Sequence, residues 1–442
     1  MSIRVSSNQM VYGYQKQLND ANTRQTNLLE QGDGSKLHRP SDSPVEYAKY
    51  IRYDTNLNEN EQYTNNVNTA ISWMKSSDAA LVNMTNIQMT FKEKSVLTAN
   101  STNNDTDMVA IGKEMMAEIQ EMVSLGNTMQ GDRYVFGGQQ DLTKPFELSN
   151  DEVNRGVAKT LDVNQQSFFS GSNGVGESGT MRQMLTLKGN DGNTYYLNTK
   201  DGYIYTKDFV EEGYKNRLAA DSSATVTPNT DAVGRVNMST SKFNVSEYFK
   251  NTGEIINPSA TLSATGNVSG VTFSFETVRQ KIVSFTGDNK YISMVKKNGA
   301  TEPTADTVNA TAVEIFGTDI FDDADSGNAP SGTAMLNEML TVHAKVESGD
   351  HLWMKSDGVT IADEAHAQTV KAETKLGARM QLYNSVSTML TTQNELITND
   401  ITNTSATDVA KLAVQLMQEQ TIYNMSLSLG ARILPQSLAD YL

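Results

Sequence analysis

The chain has 442 residues, a length typical of about three domains, and a net charge of −16 from 36 basic and 52 acidic residues. Nucleic-acid phosphate and anionic membrane surfaces repel such a charge, so we expect no nucleic-acid partner and no membrane partner. Cysteine is absent, which excludes disulfides, thiol nucleophiles and thiolate metal sites.

Glycine and proline divide the chain into helical ends and a different middle. No glycine occurs between Val45 and Ile111, and no proline between Ser331 and Leu434. Most of the 30 glycines lie in residues 146–350. Because these residues interrupt regular elements, the ends are predicted to be helical and the middle to consist of strands and turns.

The predicted fold is α+β and multidomain. Long N- and C-terminal helices form a coiled-coil or helical-bundle domain, and a mainly antiparallel β outer domain is inserted between them. The predicted domains are an N-terminal coiled-coil helix (1–40), the helical core in two parts (41–145 and 331–405), the β insert (146–330, as one or two domains) and a C-terminal coiled-coil helix (406–442).

The two terminal helices each show an apolar stripe typical of a coiled-coil seam, and in the first helix the spacings alternate between three and four. The first consists of Val11, Tyr14, Leu18, Ala21, Gln25 and Leu28, where Gln25 is the polar exception. The second consists of Val409, Leu412, Leu416, Tyr423, Leu427 and Leu434, with Leu438 beyond Pro435. A lone pair of such helices is marginally stable, so we predict that the apolar residues are subunit-assembly contacts. Packing of the two stripes on each other within one subunit is the alternative.

Four further helices are predicted between these ends. A long helix begins at a capping box formed by Ser43 and Glu46, with Pro44 in its first turn. Its apolar side carries Leu57, Val67, Ile71, Met74, Leu81, Met84 and Phe91, interrupted by Thr64, Asp78 and Gln88. A helix over about 105–126 presents Val109, Met115, Ile119, Met122 and Val123. Helices over 334–346 and 362–401 follow, the latter with Met380, Tyr383, Val386, Leu390 and Ile397 on its apolar side.

Strands are predicted in the middle of the chain. Asp-Gly dipeptides at 191–192 and 201–202 separate three of them and suit tight hairpin turns. The predicted strands are Met184–Lys188, Thr194–Asn198, Tyr203–Lys207, Val271–Glu276, Ser284–Val295 and Ala312–Phe316.

Motifs for enzyme chemistry are weak. Gly174-Val-Gly-Glu-Ser-Gly179 matches a dinucleotide-binding pattern by its letters, but the strand-like run after it is where that fold requires a helix. Asp322–Gly327 resembles a calcium loop without the required acidic twelfth position, so an acidic surface turn is the favoured interpretation. His38, His343, His351 and His366 lack metal-ligand spacing. We therefore expect no catalytic residue, no cofactor and no metal.

Four segments carry a family resemblance. They are Ser35–Val45, which contains Arg39, Pro40, Ser41, Asp42 and Pro44; Gly131–Gly138, which ends in Gly137 and Gly138; Leu376–Met380, which contains Gly377 and Arg379; and Ser437–Leu442. In this order they resemble motifs of the bacterial flagellin superfamily, over about 1–147 and 331–442. The ending Ser437-Leu-Ala-Asp-Tyr-Leu442 is similar to that of its hook–filament junction proteins, as is Thr286–Asn289 followed by Ile315–Gly317. His38 and Ala439 depart from the family pattern.

The resemblance implies a structural, non-enzymatic flagellar protein. It would be exported by the flagellar type III system without a cleaved signal peptide and with an export chaperone, and it would be extracellular. Its terminal helices would order on assembly. Its implied partners are the first hook–filament junction protein, flagellin, and copies of itself in a ring. A flagellin filament subunit, and an extracellular adhesin or enzyme that acts through the β insert, are the alternatives.

Overall fold

A computed structural model describes residues 7–100, 104–170, 182–238, 243–268, 270–292, 307–322 and 330–433. The chain divides into two compact units. Unit 1 comprises Met1–Asn68 with Ser385–Leu442, and unit 2 comprises Thr69–Asn384. None of the helices in the described part of the chain has the length and hydropathy that a membrane span requires.

Long helices dominate both ends of the chain. The α-helices are α1 (Ser7–Glu30), α2 (Pro44–Thr98), α3 (Asp105–Gly126), α4 (Val163–Ser170), α5 (Tyr214–Ala220), α6 (Pro228–Asp231), α7 (Ala312–Phe316), α8 (Ala334–Glu347), α9 (His351–Trp353), α10 (Val359–Ser405) and α11 (Val409–Ile433). A π-helical turn over Met354–Gly358 connects α9 to α10. These bounds confirm the six predicted long or medium helices to within a few residues.

The strands are short and pair in antiparallel fashion. They are β1 (Met129–Gln130), β2 (Arg133–Tyr134), β3 (Phe146–Leu148), β4 (Val153–Gly156), β5 (Ala158–Thr160), β6 (Gln183–Gly189), β7 (Thr194–Leu197), β8 (Tyr203–Thr206), β9 (Gly234–Val236), β10 (Thr261–Gly266), β11 (Thr272–Phe275), β12 (Thr277–Gln280) and β13 (Val283–Phe285). Three two-stranded sheets in the described part of the chain lie outside the main sheet: the hairpin of β1 with β2, and the pairs β3 with β13 and β4 with β12, which join distant segments.

The main sheet closes on itself. Its order is β11-β10-β9-β8-β7-β6-β5, and β11 also pairs with β6, where Phe273 lies opposite Gly189. Strand residues alternate between two apolar clusters, as the period of a strand requires. Leu185 and Ile204 belong to one cluster, and Met184 and Tyr205 to the other, which also takes Phe168 of α4. The predicted α+β class with an antiparallel insert is thus confirmed.

In unit 2 the inner face of α2 is part of the helical core. Met74, Leu81, Met84 and Phe91 are fully buried, as predicted. Gln88, predicted as an interruption, is also buried, and its amide contacts the sulfur atoms of Met335 and Met339 on α8. The α3 face is confirmed from Met115 to Val123, but Val109 is exposed and its neighbour Met108 is buried instead.

Two predicted strands are wrong in whole or in part. Residues 312–316 form the helix α7, because the Thr311 hydroxyl accepts a hydrogen bond from the Glu314 amide and caps the first turn (3.2 Å). Gly317, at φ +70°, ends it. The predicted strand 284–295 ends at Phe285, and 286–292 has no regular structure. Residues 293–295 lie outside the described residues, as do 174–179 and 323–327 of the two weak motifs.

Candidate assembly surface

In unit 1, helices α1 and α11 pack against each other as an antiparallel pair. The Lys36 amide donates to the Ser405 carbonyl (2.7 Å), which fixes their common end, and Arg24 pairs with Glu419 farther along (3.2 Å). Asn60 of α2 is buried and donates to the Leu390 carbonyl of α10 (2.9 Å). The bonds of Lys36 and Arg24 therefore set the register of α1 against α11, and the bond of Asn60 attaches α2 to α10.

Most of the predicted terminal stripes meet between these two helices. Ala21 and Leu412 are buried, and the others are half-buried. We name this set the terminal seam: Tyr14, Leu18, Ala21, Gln25, Leu28, Leu412, Leu416 and Tyr423. The alternative in which the stripes pack within one subunit thus describes these residues.

Two of the predicted assembly residues do not share this environment. The side chains of Val409 and Leu427 are 70% and 44% exposed. The Val11 side chain, Leu434 and Leu438 lie outside what the structure describes. Val409 and Leu427 each lie about 60° around the helix from Leu412, so they lie at the edge of the terminal seam.

Helix α11 carries a second apolar face that our sequence reasoning missed. Val414, Met417 and Met425 are 59%, 63% and 67% exposed. At 100° per residue they lie on the side of α11 opposite Leu412. We name these three residues the outer stripe. The sequence indicates this stripe through the low charge of the helix, because Lys411 and Glu419 are the only two charged residues in the sequence between positions 409 and 431.

The family-motif segment before α2 forms a hydrogen-bonded turn. One Asp42 carboxylate oxygen accepts from the amides of His38 (3.0 Å) and Arg39 (2.8 Å). The Arg39 guanidinium reaches back to Glu30 at the end of α1 (2.8 Å). Pro40, Ser41 and Pro44 are exposed, and Pro44 is the first residue of α2. Glu46, predicted to close a capping box, pairs with Lys36 (3.4 Å).

The second motif is a tight turn in unit 2. Gly138 adopts φ +69°, and an added Cβ would collide with the backbone of Asp288. The Asp288 amide donates to the Gly137 carbonyl (3.1 Å), and the Asp288 carboxylate accepts from the Gln139 amide (2.6 Å). Glycine is required because the two backbones approach so closely. The turn thus joins two segments that the sequence singled out separately.

The third motif contains a buried ion pair. The Arg379 guanidinium on α10 forms two bonds with the Glu314 carboxylate of α7 (2.8 and 3.1 Å) and donates to the Asn309 carbonyl (3.2 Å). Both side chains are less than a tenth exposed. Lys375, which is half exposed, lies 3.5 Å from the same carboxylate. Arg379 therefore acts as a structural anchor between α10 and α7.

Gly377 has a different environment. It lies on the exposed side of α10, and nothing lies within 4 Å of the position that a Cβ would occupy. A glycine inside a helix costs about 0.5–1 kcal/mol relative to alanine. The described residues of this chain offer no packing reason for it.

Gly377→Ala should therefore stabilise the free chain by about 0.5–1 kcal/mol and weaken assembly if a neighbouring subunit approaches this helix closely. Urea unfolding measures the first effect, and incorporation of the variant into assemblies of the native chain measures the second. Thr374→Ala, one turn earlier on the same exposed side, is the control for helix propensity alone. Normal incorporation of Gly377→Ala would show that Gly377 has no role in assembly.

Comparison with known proteins places these features in context. No protein-family model matches the chain. The flagellin of Salmonella montevideo is 22% identical over 392 residues, covering 84% of this chain and 72% of that protein. The B-type flagellin of Pseudomonas aeruginosa is 25% identical over 168 residues, 38% of this chain, and the match spans only a third of that flagellin.

The resemblance to the flagellin superfamily is confirmed. Among solved structures, the flagellar junction protein FlgL of Legionella pneumophila aligns with 81% of this chain and all of its own, with a TM-score of 0.37 and 12% identity. The flagellin matches thus bear out the resemblance that the sequence motifs predict. Among the described residues, no group of three or more histidine, aspartate or glutamate side chains is placed to hold a metal ion.

Proposed function

We propose that this chain is a hook–filament junction protein, which forms a ring between the flagellar hook and the flagellin filament. The observation that carries the proposal is the outer stripe of α11, an exposed and uncharged apolar face on a chain similar to flagellins over 84% of its length. An apolar face on a terminal helix gains free energy when another subunit covers it.

The internal pairing of α1 and α11 supports the same proposal. Because the terminal seam is occupied within the subunit, a neighbour would dock on the outer stripe rather than insert into the seam. Val409 and Leu427, at the seam margin, would extend the contact. Copies of this chain would form the ring, with the first junction protein below it and flagellin above it. An export chaperone would hold the C-terminal helical region before assembly.

The mechanism is mechanical rather than chemical. The terminal helices would order fully when subunits dock, so that folding and binding are coupled. The ring would then present to flagellin a helical face like flagellin's own. Export by the flagellar type III system without a cleaved signal belongs to the same proposal, as does an extracellular location in the flagellum.

A filament subunit is the second candidate, because the curated relatives named above are flagellins. The ending Ser437–Leu442, which resembles that of junction proteins, favours the first candidate.

Deletion of the gene distinguishes the candidates. Bare hooks together with abundant flagellin in the medium are expected, because filament subunits would be exported but would find no ring on which to assemble. Electron microscopy of cells and protein gels of the medium provide the two readouts. Bare hooks without secreted flagellin would instead identify the chain as the flagellin. Intact filaments would contradict both candidates.

A further inference from the structure

Unit 2 contains a buried cluster of carboxylates with too few cations. Asp319 and Asp322 follow α7, and Glu338 lies on α8. Arg155 of β4 pairs with Asp319 at 2.7 Å, and both side chains are 3% exposed. Arg155 also donates to the Thr252 carbonyl (3.0 Å) and the Thr341 hydroxyl (3.3 Å), so its position is fixed.

Gln183 of β6 joins the parts of this cluster. Its amide nitrogen donates to the Glu338 carboxylate, and its amide oxygen accepts from the Ile320 amide (3.0 Å). The amides of Phe321 and Asp322 donate to Asp319 (2.9 and 3.2 Å). Segment 317–322 is therefore attached to β4, β6 and α8 through carboxylate and amide groups.

The charges around the cluster do not balance. The buried carboxylates of Asp319 and Asp322 and the half-buried carboxylate of Glu338 have one guanidinium among them, that of Arg155. Arg182, just before β6, is a further cation nearby, but its charge acts on Glu364 of α10. Glu364 in turn adds a negative charge near Glu338. One oxygen of Asp322 is buried without a hydrogen-bond partner among the described residues. Buried carboxylates without a counter-charge bind protons, because the ionised form is poorly solvated there.

We propose that segment 317–322 is a proton-dependent clasp, held against α8 and β6 while the cluster carries extra protons and loosened as rising pH removes them. We name Arg155, Gln183, Asp319, Asp322 and Glu338 the proton clasp. It is a regulatory feature of unit 2 and does not depend on the junction role.

The direction of the effect follows from the carboxylates. Burial, together with the Asp319 charge, raises the pKa of Glu338 to about 8, although Arg155 and Gln183 act in the opposite direction. Burial and the Asp319 charge raise the pKa of Asp322 to about 7. The unfolded values are about 4.3 for Glu and 3.9 for Asp. A raised folded-state pKa gives stability that is complete below the unfolded value and is lost as the pH rises through the folded value.

Protons can reach the cluster without global unfolding. A pocket of about 60 Å³ borders Glu338, Glu364 and Gln183. A water molecule needs about 10–15 Å³ of such space, so the pocket has room for a few. Water in this pocket would exchange protons with Glu338 directly.

Hydrogen exchange of the full chain tests the proposal. The amides of Ile320, Phe321 and Asp322 donate into the clasp and are its reporters. After correction for intrinsic exchange rates, their protection should fall between pH 5 and pH 8, by up to about tenfold per pH unit for each proton released. Above pH 8 the decrease should level off.

Two variants and one control complete the test. Glu338→Gln and Asp322→Asn keep the side-chain shape without the ionisable proton, so each should flatten the pH dependence and raise protection at pH 9. Glu347→Gln changes an exposed carboxylate on the same helix and should leave the profile unchanged. Profiles that coincide for all four proteins would overturn the proposal. Variants with lower protection than the native chain at both pH 5 and pH 9 would also overturn it, since the carboxylates would then act as ordinary structural acceptors.

Discussion

Replacement of Arg379 by alanine is expected to destabilise unit 2 by about 3–5 kcal/mol, because it leaves the buried Glu314 carboxylate without its main counter-charge. The Glu314 side chain is 4% exposed, and each of its two carboxylate oxygens accepts a hydrogen bond from the Arg379 guanidinium, at 2.8 and 3.1 Å. Lys375 remains at 3.5 Å but is half exposed, so solvent screens much of its effect. The Asn309 carbonyl also loses its donor.

Urea unfolding followed by tryptophan fluorescence measures this loss in unit 2. The chain has two tryptophans, Trp73 and Trp353, and both belong to unit 2. Fluorescence therefore reports on the unit that holds the ion pair, which matters because a two-unit chain need not unfold in one step.

Two control variants distinguish the ion pair from general packing. Lys375→Met should cost no more than about 1 kcal/mol, as expected for a half-exposed partner. The double variant Arg379→Met with Glu314→Gln removes both charges and should recover much of the stability lost in Arg379→Ala. A loss below about 1 kcal/mol for Arg379→Ala would show that water or Lys375 solvates Glu314 well enough by itself.

The helical part of the fold could be predicted because its signals are local. Gly34, at φ +100°, ends the first helical segment, and Pro44 begins α2. The apolar repeats that predicted Leu18 and Leu412 as seam residues are also patterns of nearby residues, and both side chains lie in the terminal seam. Helix periodicity and helix breakers depend on nearby residues, so one sequence contains the information.

The α7 error shows where local signals fail. Five residues, Ala312–Phe316, are too few to display a helical period, and their apolar character also suits a strand. Their conformation depends on the Thr311 cap and on the bond between Glu314 and Arg379, which lies 65 positions farther along the chain. Closure of the sheet through β11 and β6 likewise joins distant segments, which hairpin signals do not predict.

The candidate site was predicted in part for a related reason. A seam pattern identifies the most regular apolar face of a helix, and that face is the one satisfied within the subunit. The outer stripe is shorter, and its spacings of three and eight residues do not form the heptad pattern that predicts a seam. Its exposure becomes visible only when α1 covers the opposite side of α11.

Met417→Glu is accordingly expected to abolish assembly while leaving the α1–α11 pair intact. The side chain is 63% exposed in the free chain, so a charge there meets water and costs little before docking. Once a neighbour covers the outer stripe, the methionine contributes about 1.5–3 kcal/mol of burial, and an unpaired carboxylate in its place adds a desolvation cost. A loss of about 3 kcal/mol already weakens each contact more than 100-fold.

A comparison of three variants in a deletion strain makes the test specific. Gln415→Glu adds the same charge to an exposed position of α11 away from the outer stripe and should support normal filaments. Leu18→Glu places the charge in the terminal seam and should lower the helix content of the free chain as well as assembly. Circular dichroism separates these cases, since Met417→Glu should retain native helix content and Leu18→Glu should not. Normal filaments with Met417→Glu would exclude the outer stripe as the docking face and return the assembly contact to Val409, Leu427 or the seam itself.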